Sequence, residues 1–335
     1  MSSVCENCLN EIKYHSSNTD SFSNKKFDIY FCNRCFIGKT NLDKDFDFTS
    51  YYPKNYYGKD GKKFNFLIEF IVLFFRYLRS LFCYKLFNKK DIKLLDIGCG
   101  RGQFIYLMKK KGWCVYGTET SSISALAAKK RVGDDAILIN KDLSELKNID
   151  IVFDMITLWH VLEHLNEPKK IVNLIEEKLI NKGYVVVEVP NFNSFQHLIS
   201  KNDWIHLDCP RHVTHFTKEG LINLFDNKKF KIIKSSTFSV EYGFYGMLQS
   251  LLNLFLPVPN YLFSLIRSKN AKINKTPLIK NYISFLLSIF LIIPLLFVSI
   301  FSTIFEISLT DPNISISLIN LPTLFLFISK IPIIL

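Results

Sequence analysis

The chain lacks a secretory opening: its first residues are polar and carry cysteines, with no basic patch leading into an apolar run. It also lacks an arginine-rich arm or any nucleic-acid module. Its formal charge of +12 is mostly lysine placed beside apolar runs, which favours an anionic membrane surface over nucleic acid as a partner. The eight cysteines form no disulfide framework, so a reducing, cytosolic setting is expected. The dinucleotide fingerprint G-x-G-x-x-G is missing as well, because Gln103 stands where its last glycine would be. Finally, residues 281–305 carry no charge at all.

The chain does have apolar material for a large core, with 48% hydrophobic residues and 31 phenylalanines among 335 residues. The stretch that organises it is Ile92 to Gly102. Ile92–Ile97 is a short apolar run of the kind that makes a buried parallel strand. Gly98, Gly100 and Gly102 follow at alternate positions, where absent Cβ atoms permit sharp turns and close ligand approach. Gln103–Lys111 then reads as a helix with Phe104, Leu107 and Met108 on one face, and Trp113–Thr118 as a second strand ending at Glu119. An acidic residue at that strand end can accept hydrogen bonds from two ribose hydroxyls.

Further on, Ala136–Ile139 and Ile151–Leu158 read as strands, Pro168–Leu179 as a helix, and Tyr184–Val189 as the most strand-like run of all. Alternating strands and helices make an α/β fold with a Rossmann-like sheet. In open sheets of this type ligands bind at the carboxyl ends of the strands. Gly98–Gly102, Glu119, Asp142 with Leu143, and Trp159–His164 all fall at such ends.

Two C-x-x-C pairs, Cys5/Cys8 and Cys32/Cys35, can place four thiolates around one structural zinc, with polar strand-like sequence between them as in a zinc ribbon. Cys83, Cys99, Cys114 and Cys209 read as small core residues. Five of the seven histidines lie in two stretches: His160 and His164 around Glu163, and His206, His212 and His215 around Arg211.

These motifs resemble class I S-adenosylmethionine-dependent methyltransferases. The residues carrying the likeness are Asp96, the three glycines, Glu119, the His160-Val161-Leu162-Glu163-His164 segment and the Trp204–Phe216 segment, with the cysteine pairs at the N-terminus. The resemblance covers about residues 1–250. It implies that Asp96 supports the methionine end of the cofactor, that the glycines pass beneath it, that Glu119 holds the ribose, and that Asp142, beside Leu143, meets the adenine. The family usually has a small residue where this chain has Arg101.

Three roles compete for the histidines. His160 can act as general base toward a substrate hydroxyl. His160, Glu163, His164 and His215 can form a mixed divalent-metal site, as ubiquinone-pathway and small-RNA methyltransferases use a similar Glu-x-x-Glu-His; extra nitrogen ligands suit a transition metal better than magnesium. Alternatively the two segments only shape the pocket. Arg211 is expected to pair with Asp208.

The expected organisation is a zinc-ribbon-like segment over 1–45, an aromatic linker and long helix over 46–90, the methyltransferase domain over 91–245, and a hydrophobic helical membrane-attachment region over 246–335. The helix Phe64–Phe87 carries Glu69, Arg76, Arg79 and Lys85, so it is no simple span; it lies in a membrane interface or covers the cofactor cleft. For the C-terminal third, either two apolar runs form a hairpin of spans, or residues 302–309 return as the last strand of the sheet after an insertion that dips into the membrane. The second reading is preferred. It places the protein at the cytoplasmic face, with methyl transfer to a hydroxyl of a glycan, lipid-linked or other amphipathic small molecule. A non-enzymatic membrane scaffold and a zinc-ribbon RNA methyltransferase are the rivals.

Overall fold

In a computed structural model, the structure describes residues 4–52, 66–138, 143–226, 230–236, 240–266, 277–309 and 323–330. Three antiparallel strands open the chain: β1 (Lys13–Thr19), β2 (Lys26–Cys32) and β3 (Ile37–Thr40). Helix α1 (Phe66–Phe87) leads to strand β4 (Lys93–Ile97) and helix α2 (Gln103–Lys110). Then come β5 (Cys114–Thr118), α3 (Ser122–Val132), the short β6 (Ile137–Leu138), β7 (Phe153–Trp159), α4 (Pro168–Lys178) and β8 (Leu179–Pro190). The chain continues as α5 (Phe195–Ser200), β9 (Thr214–Phe216), α6 (Lys218–Phe225), β10 (Phe230–Ser236), α7 (Val240–Asn253), α8 (Tyr261–Ile266), α9 (Leu278–Leu309) and β11 (Thr323–Lys330).

The central sheet has seven strands in the order β10-β11-β8-β7-β4-β5-β6. The run from β8 to β6 is parallel, and β11 is inserted antiparallel between β10 and β8. Side chains alternate across this sheet as the two-residue strand period requires. Ile97, Leu158, Val185 and Val187 face one core, which α4 and α6 close; Leu94, Met155 and Val186 face the other, under α1, α2 and α3. On α2 the fully buried residues are Phe104, Ile105 and Met108, whereas Leu107 is half-buried. Cys83, Cys99 and Cys209 are buried as expected, but Cys114 is exposed, because the first residue of β5 points outward.

Two features were not visible in the sequence pattern. The ribbon does not stand apart: β9 pairs antiparallel with β3, so the four-stranded sheet β1-β2-β3-β9 is finished by a strand from beyond the catalytic sheet's core. The last sheet strand is also not 302–309. Those residues belong to α9, and the strand that enters the sheet is Thr323–Lys330. Ser302–Leu309 alternates in the sequence, but the helix entering it meets no terminator before Asp311-Pro312, so helical propagation wins over alternation.

Candidate active site

The glycine loop sits at the carboxyl end of β4. Gly98, Gly100 and Gly102 all have positive φ, at 71°, 56° and 71°. A Cβ on Gly98 would fall 2.5 Å from Val161 Cγ2, and one on Gly102 3.0 Å from the Ala128 backbone of α3, so both are fixed by packing. Gly100 differs: a Cβ there meets nothing within 4 Å, leaving its face open to a ligand. Glu119 braces this loop. Its Oε2 accepts from Gly100 N at 2.9 Å and its Oε1 from Ser121 N at 2.8 Å. Burial pushes the Glu119 carboxyl up, against the lowering effect of these backbone bonds.

Asp96 lies buried beneath the loop and accepts a 2.6 Å hydrogen bond from Thr157 Oγ1 on β7. Burial pushes its carboxyl up to about 7, although Thr157 and Arg79 both work the other way. Leu143, half-buried, opens a short 3-10 turn after β6 and packs against the core. Asp142 lies outside the described residues.

At the end of β7 the backbone turns through His160, whose φ is 54° and whose N–H donates to the Glu188 carbonyl at 2.8 Å. This places the imidazole between two carboxylates: Nδ1 is 3.3 Å from Glu163 Oε1 and Nε2 is 3.6 Å from Glu188 Oε1. The ring centroid is 4.1 Å from that of Tyr242 on α7. Burial opposes its charge, yet Tyr242 and the carboxylates of Glu163 and Glu188 hold His160 well above its ordinary pKa. Glu188 is in turn paired with Arg79 of α1, Nη2 to Oε2, at 2.7 Å, both side chains being buried. The Arg79 guanidinium also rests 4.7 Å over the Trp159 ring. Sequence reasoning singled out neither Glu188 nor Tyr242; the signal for Glu188 was one acid inside the run Val185–Val189.

The two histidine segments do converge. Glu163, His164 and His212 bring their donor atoms within 4.8 Å of one another. His164 Nδ1 donates to the Arg211 carbonyl at 2.9 Å and His212 Nδ1 to the His206 carbonyl at 2.8 Å. In each ring this leaves Nε2 outside these two bonds, and His212 Nε2 lies 4.0 Å from Glu163 Oε1. Burial lowers His212 to about 4, and burial also opposes the charge on Glu163, where His160, His164 and His212 prevail and depress its pKa. Both Glu163 oxygens are buried; Oε1 has the His160 ring 3.3 Å away, and neither oxygen makes an aligned hydrogen bond among the described residues. A buried carboxylate beside two imidazoles set edge-to-face, with ring centroids 4.7 Å apart, fits a divalent cation.

His215 is not part of this cluster. It projects from β9 toward the ribbon, with Nε2 2.9 Å from Thr40 Oγ1 and its ring 5.1 Å from that of Phe192. The Thr40 hydroxyl donates to the His212 carbonyl at 2.7 Å, so at His215 it must accept. The strand alternation that turns His215 to the ribbon takes it away from Glu163. Arg211 also proves to be a staple: it pairs with Asp208 at 2.6 Å, as its spacing suggested, and with Asp20 of the ribbon at 2.9 Å, and donates to the Tyr51 carbonyl.

At the other end of the ribbon the four cysteine sulfurs also lie within 4.8 Å of one another, with Cys5–Cys35 at 3.9 Å and Cys8–Cys32 at 3.5 Å. A tetrahedron with 2.3 Å metal–sulfur bonds has edges of about 3.8 Å. The two knuckles repeat each other: Leu9 and Phe36, each just past the second cysteine, have φ of 59° and 58°, and each donates its N–H to the carbonyl of the first cysteine at 2.8 Å.

Among known proteins, residues 72–235 match the family described as "Methyltransferase domain". An uncharacterised protein of Methanocaldococcus jannaschii is 27% identical over 57% of this chain and 80% of its own length. The mitochondrial ubiquinone biosynthesis O-methyltransferase of Schizosaccharomyces pombe is 30% identical over 28% of this chain, and the Pasteurella multocida ubiquinone biosynthesis O-methyltransferase 27% over 30%. The chain spans only 36% and 46% of those two enzymes. A SAM-dependent methyltransferase from Archaeoglobus fulgidus is 20% identical, with a TM-score of 0.42 over 76% of this chain and 94% of that one. The plantazolicin methyltransferase BpumL, solved with SAH, is 15% identical, with a TM-score of 0.42 over 78% and 84%. With the glycine loop, its bracing Glu119 and the mostly parallel sheet already in place, the match of residues 72–235 to the methyltransferase domain marks the chain as a methyltransferase enzyme.

Proposed function

We propose that the protein transfers a methyl group from S-adenosylmethionine to a hydroxyl of an amphipathic small molecule, glycan or lipid-linked acceptor, at a site that takes a divalent metal. The observation that carries this reading is the Glu163, His164 and His212 cluster, whose donor atoms lie within 4.8 Å of one another around a buried carboxylate. When bound, a divalent cation would supply Lewis-acid polarisation of the acceptor hydroxyl. The backbone carbonyls of Arg211 and His206 fix the tautomers of His164 and His212 and so pre-orient them. His160 serves to orient Glu163 and Glu188, because both of its ring nitrogens face carboxylates and neither is presented to a substrate. Asp96, the three glycines and Glu119 bind the cofactor, and Asp142 with Leu143 borders its adenine. Rate then comes largely from holding the sulfonium methyl and the acceptor oxygen in line.

Cys5, Cys8, Cys32 and Cys35 hold a structural zinc in this reading, a closed site remote from the chemistry. Through β3 and β9 the ribbon carries that rigidity to the loop containing His212.

The membrane part of the proposal rests on α9. Its segment Leu278–Ile300 is long and apolar enough to cross a bilayer and is mostly exposed. The return of β11 to the catalytic sheet requires both ends of the insertion on one side, so α9 embeds along its exposed side and its inner side packs on α7 and α8.

Calorimetric titration of the full chain with S-adenosylmethionine, beside Glu119→Ala, tests the cofactor. Manganese and zinc titrations of wild type and Glu163→Gln, followed by an acceptor screen with and without metal, test the cluster. Expected are cofactor binding lost in Glu119→Ala, and metal binding lost in Glu163→Gln together with the metal-dependent share of methyl transfer. Full turnover in Glu163→Gln in the presence of a chelator would remove the metal reading and leave the cofactor assignment standing.

A further inference from the structure

Helix α1 has two faces with different company. On its inner face Arg79 reaches Glu188 and Trp159, and Ser80 and Cys83 are buried. Its one acidic residue, Glu69, turns to Arg101 of the glycine loop, Oε1 to Nη1 at 3.9 Å. On its outer face Phe70, Ile71, Leu73, Phe74, Tyr77 and Leu78 are all exposed, Phe70 at 62% and Phe74 at 51%. Their spacing, with steps of three and four, makes one broad apolar stripe.

Nothing acidic interrupts the stripe, and cations flank it. Lys111, from the end of α2, has its Nζ 5.8 Å from the Tyr77 ring and 5.1 Å from the Tyr84 ring. Lys85, Lys89 and Lys90 are exposed at and beyond the last turn of α1. An amphipathic helix with aromatic residues on one side and lysines along its margin is the pattern of a helix lying in a membrane interface, and the lysines select anionic headgroups. The whole chain adds a net charge of +12.

We propose that α1 is an interfacial helix that seats the glycine-loop side of the catalytic domain on an anionic bilayer. Phe70, Leu73, Phe74 and Tyr77 enter the acyl boundary, and Lys85, Lys89, Lys90 and Lys111 meet the headgroups. The inference rests on the membrane reading of α9 and adds a second contact beside the cofactor loop. Because Arg79 and Glu69 leave the other side of the same helix for Glu188 and Arg101, an acceptor dissolved in the bilayer would meet the site across one helix diameter.

Fluorescence quenching decides this. The full chain is reconstituted in lipid nanodiscs of phosphatidylcholine with phosphatidylglycerol, the former brominated near the headgroup end of its acyl chains. Phe74→Trp and, separately, Phe290→Trp on the exposed side of α9 are compared with wild type. The expected result is that the emission added by Phe74→Trp falls by roughly half with brominated lipid, as for a ring within the headgroup–acyl boundary, and falls less in discs without phosphatidylglycerol. Quenching of Phe290→Trp by lipid together with quenching of Phe74→Trp only by aqueous acrylamide would overturn the α1 contact and spare the α9 reading. Shielding of Phe74→Trp from both quenchers would mean that protein covers the stripe, and would also overturn it. If neither variant responds to brominated lipid, the membrane reading fails as a whole, and this inference with it.

Discussion

Replacing Arg79 with methionine keeps most of the side chain's length and removes its charge. The guanidinium lies 2.7 Å from Glu188 Oε2 with both side chains under a tenth exposed, and it stacks 4.7 Å over Trp159. Removing one partner of a buried ion pair costs about 3–5 kcal/mol, because the other charge is left in a medium that solvates it poorly. Here Glu188 retains the His160 ring at 3.6 Å, and methionine refills part of the stack, so the cost should lie at the lower end, about 3 kcal/mol. For a chain of 335 residues that lowers the melting midpoint by roughly 4 °C. Thermal melts and urea titrations of Arg79→Met and of Arg79→Met/Glu188→Gln in one detergent measure it. The double variant should recover most of the loss, since the stranded carboxylate is then gone. A double variant no more stable than the single one, or a single-variant cost under about 1 kcal/mol, would refute the argument and mean that the pair behaves as a solvated surface bridge.

Other expectations follow from the same geometry. Gly98→Ala should abolish cofactor binding and destabilise the fold, because its Cβ would overlap Val161; Gly100→Ala, which meets only open space, should cost about 1–2 kcal/mol for its left-handed backbone and still weaken S-adenosylmethionine binding in calorimetry. Asp96 titrates near 7 when folded and near 4 when unfolded, so between those values the folded chain binds more protons and stability falls as pH rises, by up to about 1.4 kcal/mol per pH unit. Denaturation midpoints of Asp96→Asn should lose that slope; parallel wild-type and variant curves would contradict the buried-acid assignment. Cys8→Ser should lower the zinc content of purified protein, read by plasma mass spectrometry, and weaken protection of the β3–β9 amides in hydrogen exchange. Unchanged metal content would exclude the four-cysteine site.

Much of the site was legible as short-range pattern. Two turns of chain with cysteines three apart, three glycines at alternate positions after an apolar strand, and an acid closing the next strand need no long-range information, because covalent spacing alone brings these groups together. The strand and helix periods likewise follow from backbone geometry. The partners of the histidines were not legible. His206, His212 and His215 lie within ten residues, and only the pairing of β9 with β3 turns His215 to the ribbon and leaves His212 to Glu163. The Arg79–Glu188 pair joins residues more than a hundred positions apart, and the Arg211–Asp20 pair spans still more of the chain. The same holds for the last sheet strand: 302–309 alternates whereas 323–330 holds an unbroken apolar run, Leu324–Ile328, and the choice fell to the competition between extending α9 and filling the slot between β8 and β10. The sequence by itself determined the fold class, the glycine loop and the cysteine knuckles, since each is written within a few residues of chain. Tertiary structure decided which charges meet and which histidines gather at Glu163, because those depend on how sheets register and helices pack, and no local spacing encodes that.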